Sequence, residues 1–322
     1  MRRLLLVPLL ALATAAGARD FDHGPFETVG FTTLAFTKTS VTTGAPRALD
    51  TLVWYPAVSG TGTKQGDVFI GARPLRRRFP LIVFSHGSCG VPSQSPFFTA
   101  GLASFGFVVA APPHPGNETT DLPHCSDPAE LVDSFANRVP DVRFVIDQML
   151  AQSANRSSPF ARRINAKRIG MSGHSFGGLT TLRIAAEEPR VRAAVALAPA
   201  VLGINPTIRI PTLVLAAELD SLVPFDPDVL KAFGFLHGPR FLVELLNTGH
   251  CAFALACLAA LCGNGCQPGT ASLDDVHTLT MRYAVPFFLR YLAGRGALPK
   301  LLSPARAPSG AIVVHFEPHG PA

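Results

Sequence analysis

The sequence predicts one α/β domain built on a mostly parallel, doubly wound sheet, and three observations carry that expectation. Several short, mostly apolar runs read as strands, Phe79–Ser85 (FPLIVFS) being a continuous apolar β-branched run, with 106–111 (GFVVAA), Val191–Leu197 (VRAAVAL), 211–217 (PTLVLAA) and 241–246 (FLVELL) following. Apolar runs without alternation mark strands buried on both faces, as in parallel sheets. Segments of helical spacing separate these runs, and strand–helix alternation of this kind winds into a parallel sheet with helices on both sides. Finally, Gly173-His174-Ser175-Phe176-Gly177 joins a β-like run (Arg168, Ile169, Met171) to a small-residue helix start, giving strand, tight turn and helix in that order.

Taken along the chain, 24–40 and 47–56 are rich in Thr, Val, Phe and Leu with partial alternation, which predicts two N-terminal antiparallel strands. Residues 59–71, with their Gly and Thr, read as a loop. After the strand at Phe79–Ser85, His86-Gly87-Ser88-Cys89-Gly90 forms a flexible turn, 95–105 a helix, and 106–111 a strand stopped by Pro112-Pro113-His114-Pro115-Gly116. Residues 128–152 show helical spacing through Leu131, Phe135, Val139, Val142, Val145, Ile146 and Met149. Pro140 is expected to divide that stretch into two helices, because proline removes a backbone donor and clashes with the preceding turn. The Ser175 turn follows what reads as the fifth strand. A short helix is expected over 227–236, a last helix over 274–293 kinked at Pro286, and a further strand over 311–316 within a Pro/Gly-rich C-terminal extension, 295–322. Neither an internal repeat nor a shift in composition marks a second domain.

The first residues, Met1-Arg2-Arg3, lead into an apolar run from Leu4 to Ala16 and then Ala16-Gly17-Ala18 before Arg19. A basic start, a short apolar stretch and a small-residue end describe a secretory signal peptide covering 1–18, leaving a catalytic-sized domain over 19–322. The apolar run is shorter than the roughly 20 residues of a membrane span, so a protein without a transmembrane segment, secreted or periplasmic, is expected. Charged residues make up 16% of the chain, and loss of Arg2 and Arg3 lowers the formal charge from +6 to +4. The basic residues are scattered apart from Arg73 to Arg78, in an expected loop, which argues against nucleic acid as a partner.

Six cysteines in an exported chain are expected to be bridged, and six allow fifteen pairings. Cys251, Cys257, Cys262 and Cys266 cluster, but their C-x5-C-x4-C-x3-C spacing lacks the paired C-x2-C of zinc sites, so no metal is expected. Cys89 and Cys125 are the other two; the sequence alone does not select a pairing. Cys251 stands next to His250, which suggests a stapled loop holding that histidine.

The G-x-S-x-G spacing has a steric reason. A serine at the apex of a strand-to-helix turn takes a positive-φ conformation, and the residues two positions away approach the backbone so closely that only small side chains fit. The N-terminus of the following helix favours negative charge developing beside that serine. A serine hydroxyl is a weak nucleophile and needs a base oriented by a carboxylate. In this topology the order is serine, acid, histidine, with both partners in loops after later strands. Of His237, His250, His277, His315 and His319, only His250 follows directly on an expected strand (LLNTGH). For the acid, 211–217 runs into Glu218-Leu219-Asp220; Asp220 is assigned, with Glu218 as its nearest rival, while Asp226 and Asp228 read as helix-cap and first-turn residues. Two N–H donors must face the oxyanion. The backbone N–H groups of Phe176, after the serine, and of Ser88, in the turn after the third strand, fit that role. Phe97, Phe98, Phe225 and Phe253 are candidate substrate contacts.

Together, Val83-Phe84-Ser85-His86-Gly87, the 106–111 strand ending near His114-Pro115-Gly116-Asn117, and Gly173-His174-Ser175-Phe176-Gly177-Gly178 resemble the platelet-activating-factor acetylhydrolase and predicted dienelactone hydrolase group of α/β-hydrolases. That group shares fold features with bacterial cutinase-like polyester hydrolases. The resemblance spans nearly the whole mature chain. It implies the α/β-hydrolase fold and a cofactor-free serine esterase using Ser175, Asp220, His250 and the Ser88 and Phe176 donors. Dienelactone hydrolases proper use a cysteine where Ser175 stands, which argues against that activity. The expected substrates are short-acyl, lipid-acetyl or polyester-type esters; acyl transfer or peptide hydrolysis on the same three residues, and a noncatalytic binding protein of this fold, are the competing readings.

Overall fold

The computed structural model describes residues 23–254, 269–294 and 303–320. The expected signal peptide, Cys257, Cys262 and Cys266 therefore lie outside the described residues. Thirteen strands are described, and eleven of them form one sheet. In chain order these are β1 Val29–Leu34, β2 Thr37–Thr39, β3 Pro46–Ala48, β4 Thr51–Pro56, β5 Thr63–Gln65, β6 Val68–Ile70, β7 Phe79–Ser85, β8 Val108–Ala111, β9 Ile164–His174, β10 Val191–Leu197, β11 Thr212–Ala217, β12 Arg240–Leu245 and β13 Ala311–Glu317. The sheet runs β13-β12-β11-β10-β9-β7-β8-β4-β1-β6-β5. Its middle, from β12 to β8, is parallel throughout, and antiparallel pairs close both sides, β8 with β4 and β4 with β1 on one, β12 with β13 on the other. This is the expected mostly parallel sheet with antiparallel N-terminal strands.

The helices are α1 Pro96–Ser104, α2 Pro128–Ala154, α3 Phe176–Glu187, α4 Leu230–Gly234 and α5 Leu273–Tyr291. Side chains alternate across each strand, and the core divides accordingly. Ile82 and Phe84 of β7 pack with Phe98 and Leu102 of α1 and with Tyr283 and Phe288 of α5. Leu81 and Val83 pack on the opposite face with Val142, Val145 and Met149 of α2. Ala194 and Ala196 of β10 meet α3 and α4 through Leu182 and Ala232. Every residue of β7 is buried, which is why that segment carries no polar alternation.

Three expectations are corrected. Residues 59–71 hold β5 and β6, a hairpin that pairs onto β1; its strands are three residues each, too short for a periodic signal. Pro140 does not divide 128–152: α2 runs unbroken through it. Packing against the sheet through Val139 before the proline and Val142, Val145 and Met149 after it keeps the helix continuous although the Ala136 carbonyl loses its backbone donor; nearby, the Phe135 carbonyl accepts from Arg183 Nη1 at 2.6 Å, with the guanidinium over the Phe135 ring at 4.3 Å. The Ser175 turn follows β9, which is the fifth strand only when the four three-residue strands before it are left out. The C-terminal strand expected at 311–316 is present as β13 and is an integral edge of the sheet. Pro286 lies inside α5, as expected of the last helix.

The strand order reverses around β7, which has β8 on one side and β9 on the other. Open α/β sheets bind ligands outside the C-terminal strand ends at such a reversal. The turn after β7 and the turn after β9, carrying Ser88 and Ser175, flank it.

Candidate active site

Ser175 stands between β9 and α3 with φ 57° and ψ −116°, the strained geometry anticipated for the apex of this turn. A Cβ on Gly177 would lie 1.9 Å from the Ser85 carbonyl oxygen, and one on Gly173 would lie 2.4 Å from the Gly177 oxygen and 2.6 Å from that of Ser85. Both glycines are thus required by the end of β7, against which the turn is wedged. The Ser175 N–H donates to the Leu197 carbonyl at 3.0 Å, and its own carbonyl accepts from Leu179 and Ala200 at 3.0 and 3.1 Å. Phe176 opens α3, so its N–H belongs to the first helical turn, whose donors have no intrahelical partner.

Asp220 and His250 come together as the sequence order requires. Asp220 Oδ2 accepts from His250 Nδ1 at 2.6 Å, and Asp220 Oδ1 accepts the backbone N–H groups of Leu222 and Val223 at 2.9 and 2.8 Å. Both side chains are almost fully buried. Three bonds zip the loop after β11 to the loop after β12: Glu218 N–H to Leu245 O at 3.0 Å, Leu219 N–H to Thr248 O at 2.8 Å, and Asn247 N–H to Glu218 Oε2 at 2.7 Å. Glu218, the rival acid, is exposed and holds the backbone of the histidine loop, not the imidazole. His237 and His319 are exposed, His315 pairs with Glu317, and His277 stacks on Phe97 with ring centroids 3.6 Å apart.

Several site-shaping residues were not singled out from the sequence. His174, the variable residue of G-x-S-x-G, is buried with its ring 4.6 Å from that of His250. Its Nε2 donates to the His250 carbonyl at 2.9 Å, so its Nδ1 accepts from Gln94 Nε2 at 3.2 Å. Gln94 Oε1 in turn accepts the Gly87 N–H at 2.9 Å, linking the 86–88 turn to the histidine loop. Burial, and then the neighbouring His250, hold His174 well below the ordinary imidazole range, consistent with a neutral ring. A Cβ on Gly87 would sit 3.4 Å from Ser175 Cβ, which places the turn directly against the serine.

Behind that turn lies a buried polar cluster on α2. Asp141 binds Arg47 Nε at 2.9 Å and Lys38 Nζ at 3.2 Å; burial pushes its carboxyl up, against both cations. Arg138 is 1% exposed, stacks on the Phe176 ring at 4.5 Å, and reaches the 86–88 turn. Burial, with Arg47 adding, pulls its guanidinium down from the ordinary value, against the nearby Asp141 and Glu118 carboxyls. His86 and His114 are held well below the usual range, first by burial; His86 Nε2 lies 3.7 Å from Glu118 Oε1. A disulfide joins Cys89, in the turn, to Cys125 beyond β8, and Cys251 is disulfide-bonded too.

The aromatic candidates separate. Phe98, on the inner face of α1, and Phe253 are fully buried in the core and expose no surface to a ligand, a correction to their reading as contacts. Aromatic residues near loops gave no signal of depth. Phe97 faces His277 and lines a cavity of about 1010 Å³ with Phe31, Trp54 and Met281, a cavity that touches none of Ser175, Asp220 and His250. Phe225 is half-buried just beyond the acid loop, against the α3–α4 core.

Fold and site geometry define an α/β-hydrolase. A structural neighbour, a ferulic acid esterase from Streptomyces cinnamoneus, covers 90% of this chain and 97% of its own at a TM-score of 0.74 and 23% identity, a likeness of fold. The PETase family model, described as PET hydrolase-like, matches residues 37–258, and the chain belongs to that family. The expected likeness to bacterial cutinase-like polyester hydrolases agrees with that membership. Cutinase est1 of Thermobifida alba is 34% identical over 147 residues, 45% of this chain and 44% of the relative. The match thus spans less than half the length of that cutinase. A bis(hydroxyethyl) terephthalate hydrolase of Streptomyces coelicolor is 28% identical over 249 residues, 76% of this chain and 72% of its own. Among the described residues no helix is long and apolar enough to cross a membrane.

Proposed function

We propose that the chain is an exported serine carboxylic-ester hydrolase acting on polyester-type and other accessible esters. The observation that carries this reading is the buried Asp220–His250 pair, 2.6 Å from Oδ2 to Nδ1, in loops beside the positive-φ Ser175 turn. His250 takes the Ser175 hydroxyl proton as the oxygen attacks the ester carbonyl; Asp220 holds the imidazole with Nδ1 protonated and steadies the imidazolium. The tetrahedral oxyanion is received by the Ser88 and Phe176 N–H groups. His250 then gives its proton to the departing alcohol, leaving an acyl-Ser175. A water, deprotonated by His250, attacks the acyl carbon, and the acid is released as the serine regains its proton. Polyester-type substrates are favoured among esters because the relatives that match the chain are named as cutinases and as a terephthalate-ester hydrolase. Export is supported by the 1–18 segment and by the Cys89–Cys125 disulfide, which persists in oxidising compartments.

The test uses the protein from residue 19 onward and its Ser175→Ala variant on nitrophenyl esters of increasing acyl length and on bis(2-hydroxyethyl) terephthalate. Turnover by the former, abolished in the latter, is expected. Turnover that survives Ser175→Ala, or absence of turnover on every ester, overturns the reading.

A further inference from the structure

We propose that Arg138 is the positioning residue that sets the oxyanion donors, acting from behind the 86–88 turn; the proposal rests on the esterase reading above. A guanidinium has five N–H donors, and five bonds to surrounding oxygens are formed. Nε donates to Ser134 Oγ at 2.9 Å; Nη1 donates to Ser85 Oγ at 3.1 Å and to the His86 carbonyl at 2.6 Å; Nη2 donates to the Gly87 carbonyl at 3.2 Å and to Asn117 Oδ1 at 2.6 Å. One rigid plane therefore ties α2 to the end of β7, to two successive peptide carbonyls of the turn, and to the loop after β8.

The consequence for chemistry follows from peptide geometry. In a planar trans peptide the C=O and the N–H of the same unit point in opposite directions. The cis bonds of the described residues are Leu122–Pro123 and Asp226–Pro227, so the Gly87–Ser88 unit is trans. Its carbonyl is drawn toward the interior by Arg138 Nη2, by His86 Nδ1 at 2.8 Å and by the Gly90 N–H at 3.2 Å. The Ser88 N–H is thereby turned to the opposite side of the strand end. The preceding unit obeys the same rule: its His86 carbonyl is held by Nη1, and its Gly87 N–H is taken by Gln94 on the other side. Asn117, itself fixed by Arg138, donates through Nδ2 to Ser88 Oγ at 2.9 Å, which anchors that residue's side chain away from the donor role. The same guanidinium stacks on Phe176, the residue supplying the second donor. Arg138 touches no substrate atom on this account; it orients the Ser88 donor and packs on the side chain of the residue that supplies the other.

The test compares Arg138→Lys and Arg138→Ala with the unaltered protein on a nitrophenyl ester. Loss of one oxyanion donor costs about 10²–10³ in kcat in serine hydrolases, and misorientation of the turn is expected to cost about as much, with KM changed less than about threefold. An aryl boronic acid, which adds to the serine as a tetrahedral anion, is expected to weaken in parallel with kcat/KM. Millimolar guanidinium is expected to restore part of the activity of Arg138→Ala, an outcome that mere loosening of the fold does not give. Should the alanine variant fail to fold, Arg138→Lys, which keeps the charge and the aliphatic stem but not the planar fork, carries the test with near-ultraviolet dichroism as the check on packing. A folded Arg138→Lys with kcat within threefold of the parent, or one whose loss lies in KM alone, overturns the proposal. An inactive parent protein instead overturns the esterase reading.

Discussion

Asp220→Asn is the sharpest probe of the proposed mechanism, because the surrounding bonds dictate which way the new amide faces. Asp220 Oδ1 accepts two backbone N–H groups, from Leu222 at 2.9 Å and Val223 at 2.8 Å, while Oδ2 faces His250 Nδ1 at 2.6 Å. In the variant the amide oxygen must stay on the two N–H donors, since placing the NH2 there would set donor against donor in a buried site. The NH2 therefore points at His250 Nδ1 and forces it to act as acceptor. The imidazole proton then moves to Nε2, the atom that has to accept the serine proton. A wrong tautomer of this kind costs about 10⁴ in kcat, or about 5 kcal/mol of barrier. The fold should lose far less: both backbone bonds survive, and the exchange of a charged acceptor for a neutral one weakens them by about 1 kcal/mol. Steady-state kinetics on a nitrophenyl ester, with thermal melts on the same preparations, read both quantities. Glu218→Gln serves as control; its amide oxygen still accepts the Asn247 N–H, and kcat is expected within threefold of the parent. Folded Asp220→Asn retaining more than about a tenth of parental kcat would refute the reasoning, as would an equal loss in Glu218→Gln.

Three further outcomes are expected. Burial, with Asp121 adding and Arg138 and Arg47 opposing, pushes Glu118 up to about 7 from its ordinary 4.5. The folded protein holds that proton more tightly than the unfolded chain, so this contribution to stability is full below about pH 4.5 and is lost as pH rises toward 7; Glu118→Gln should gain melting temperature relative to the parent at pH 8, with the gap closing at pH 4, and a pH-independent gap contradicts the assignment. The Cys89–Cys125 bridge closes a separation of 36 residues, and the chain-entropy relation gives about 4 kcal/mol for a loop of that size; replacing both cysteines with alanine should reduce denaturant stability by roughly that amount, and no change in midpoint would count against the bridge. Phe98→Ala should cost about 3–5 kcal/mol as a core cavity, whereas Phe225→Ala should cost under about 1 kcal/mol and act, if Phe225 meets substrate, by raising KM for aromatic esters at constant kcat.

The central strands were legible because burial on both faces leaves few polar residues in them, a lone exposed Arg192 in β10 among them: Phe79–Ser85 and Val191–Leu197 coincide with β7 and β10 end to end. The Ser175 turn was legible because its constraint is steric and local, with two glycines facing the end of β7. What escaped was held together across the chain. The Pro140 expectation failed because packing of α2 on the sheet, through Val139 before the proline and Val142, Val145 and Met149 after it, outweighs one lost backbone bond. Arg138 escaped because it stands in a polar guise at an apolar position: Ser134, Arg138, Val142, Val145 and Met149 share one buried stripe of α2, so charge at core spacing was the signal available. His174 had no such signal, since the variable position of G-x-S-x-G imposes nothing on sequence while in three dimensions it abuts His250.

The buried cluster on α2 also accounts for a feature that stability alone does not. An arginine without exposed surface carries a desolvation cost that apolar packing would avoid, and Arg138 lies in the same stripe as Val142 and Val145, which pack the sheet at no such cost. Its acceptors are two backbone carbonyls, two hydroxyls and a side-chain amide, so its bonds serve to fix directions, while the Asp141 and Glu118 carboxyls near it favour its charged form. Turn orientation is thus set by one side chain, and a leucine or methionine at position 138 would supply the packing without it.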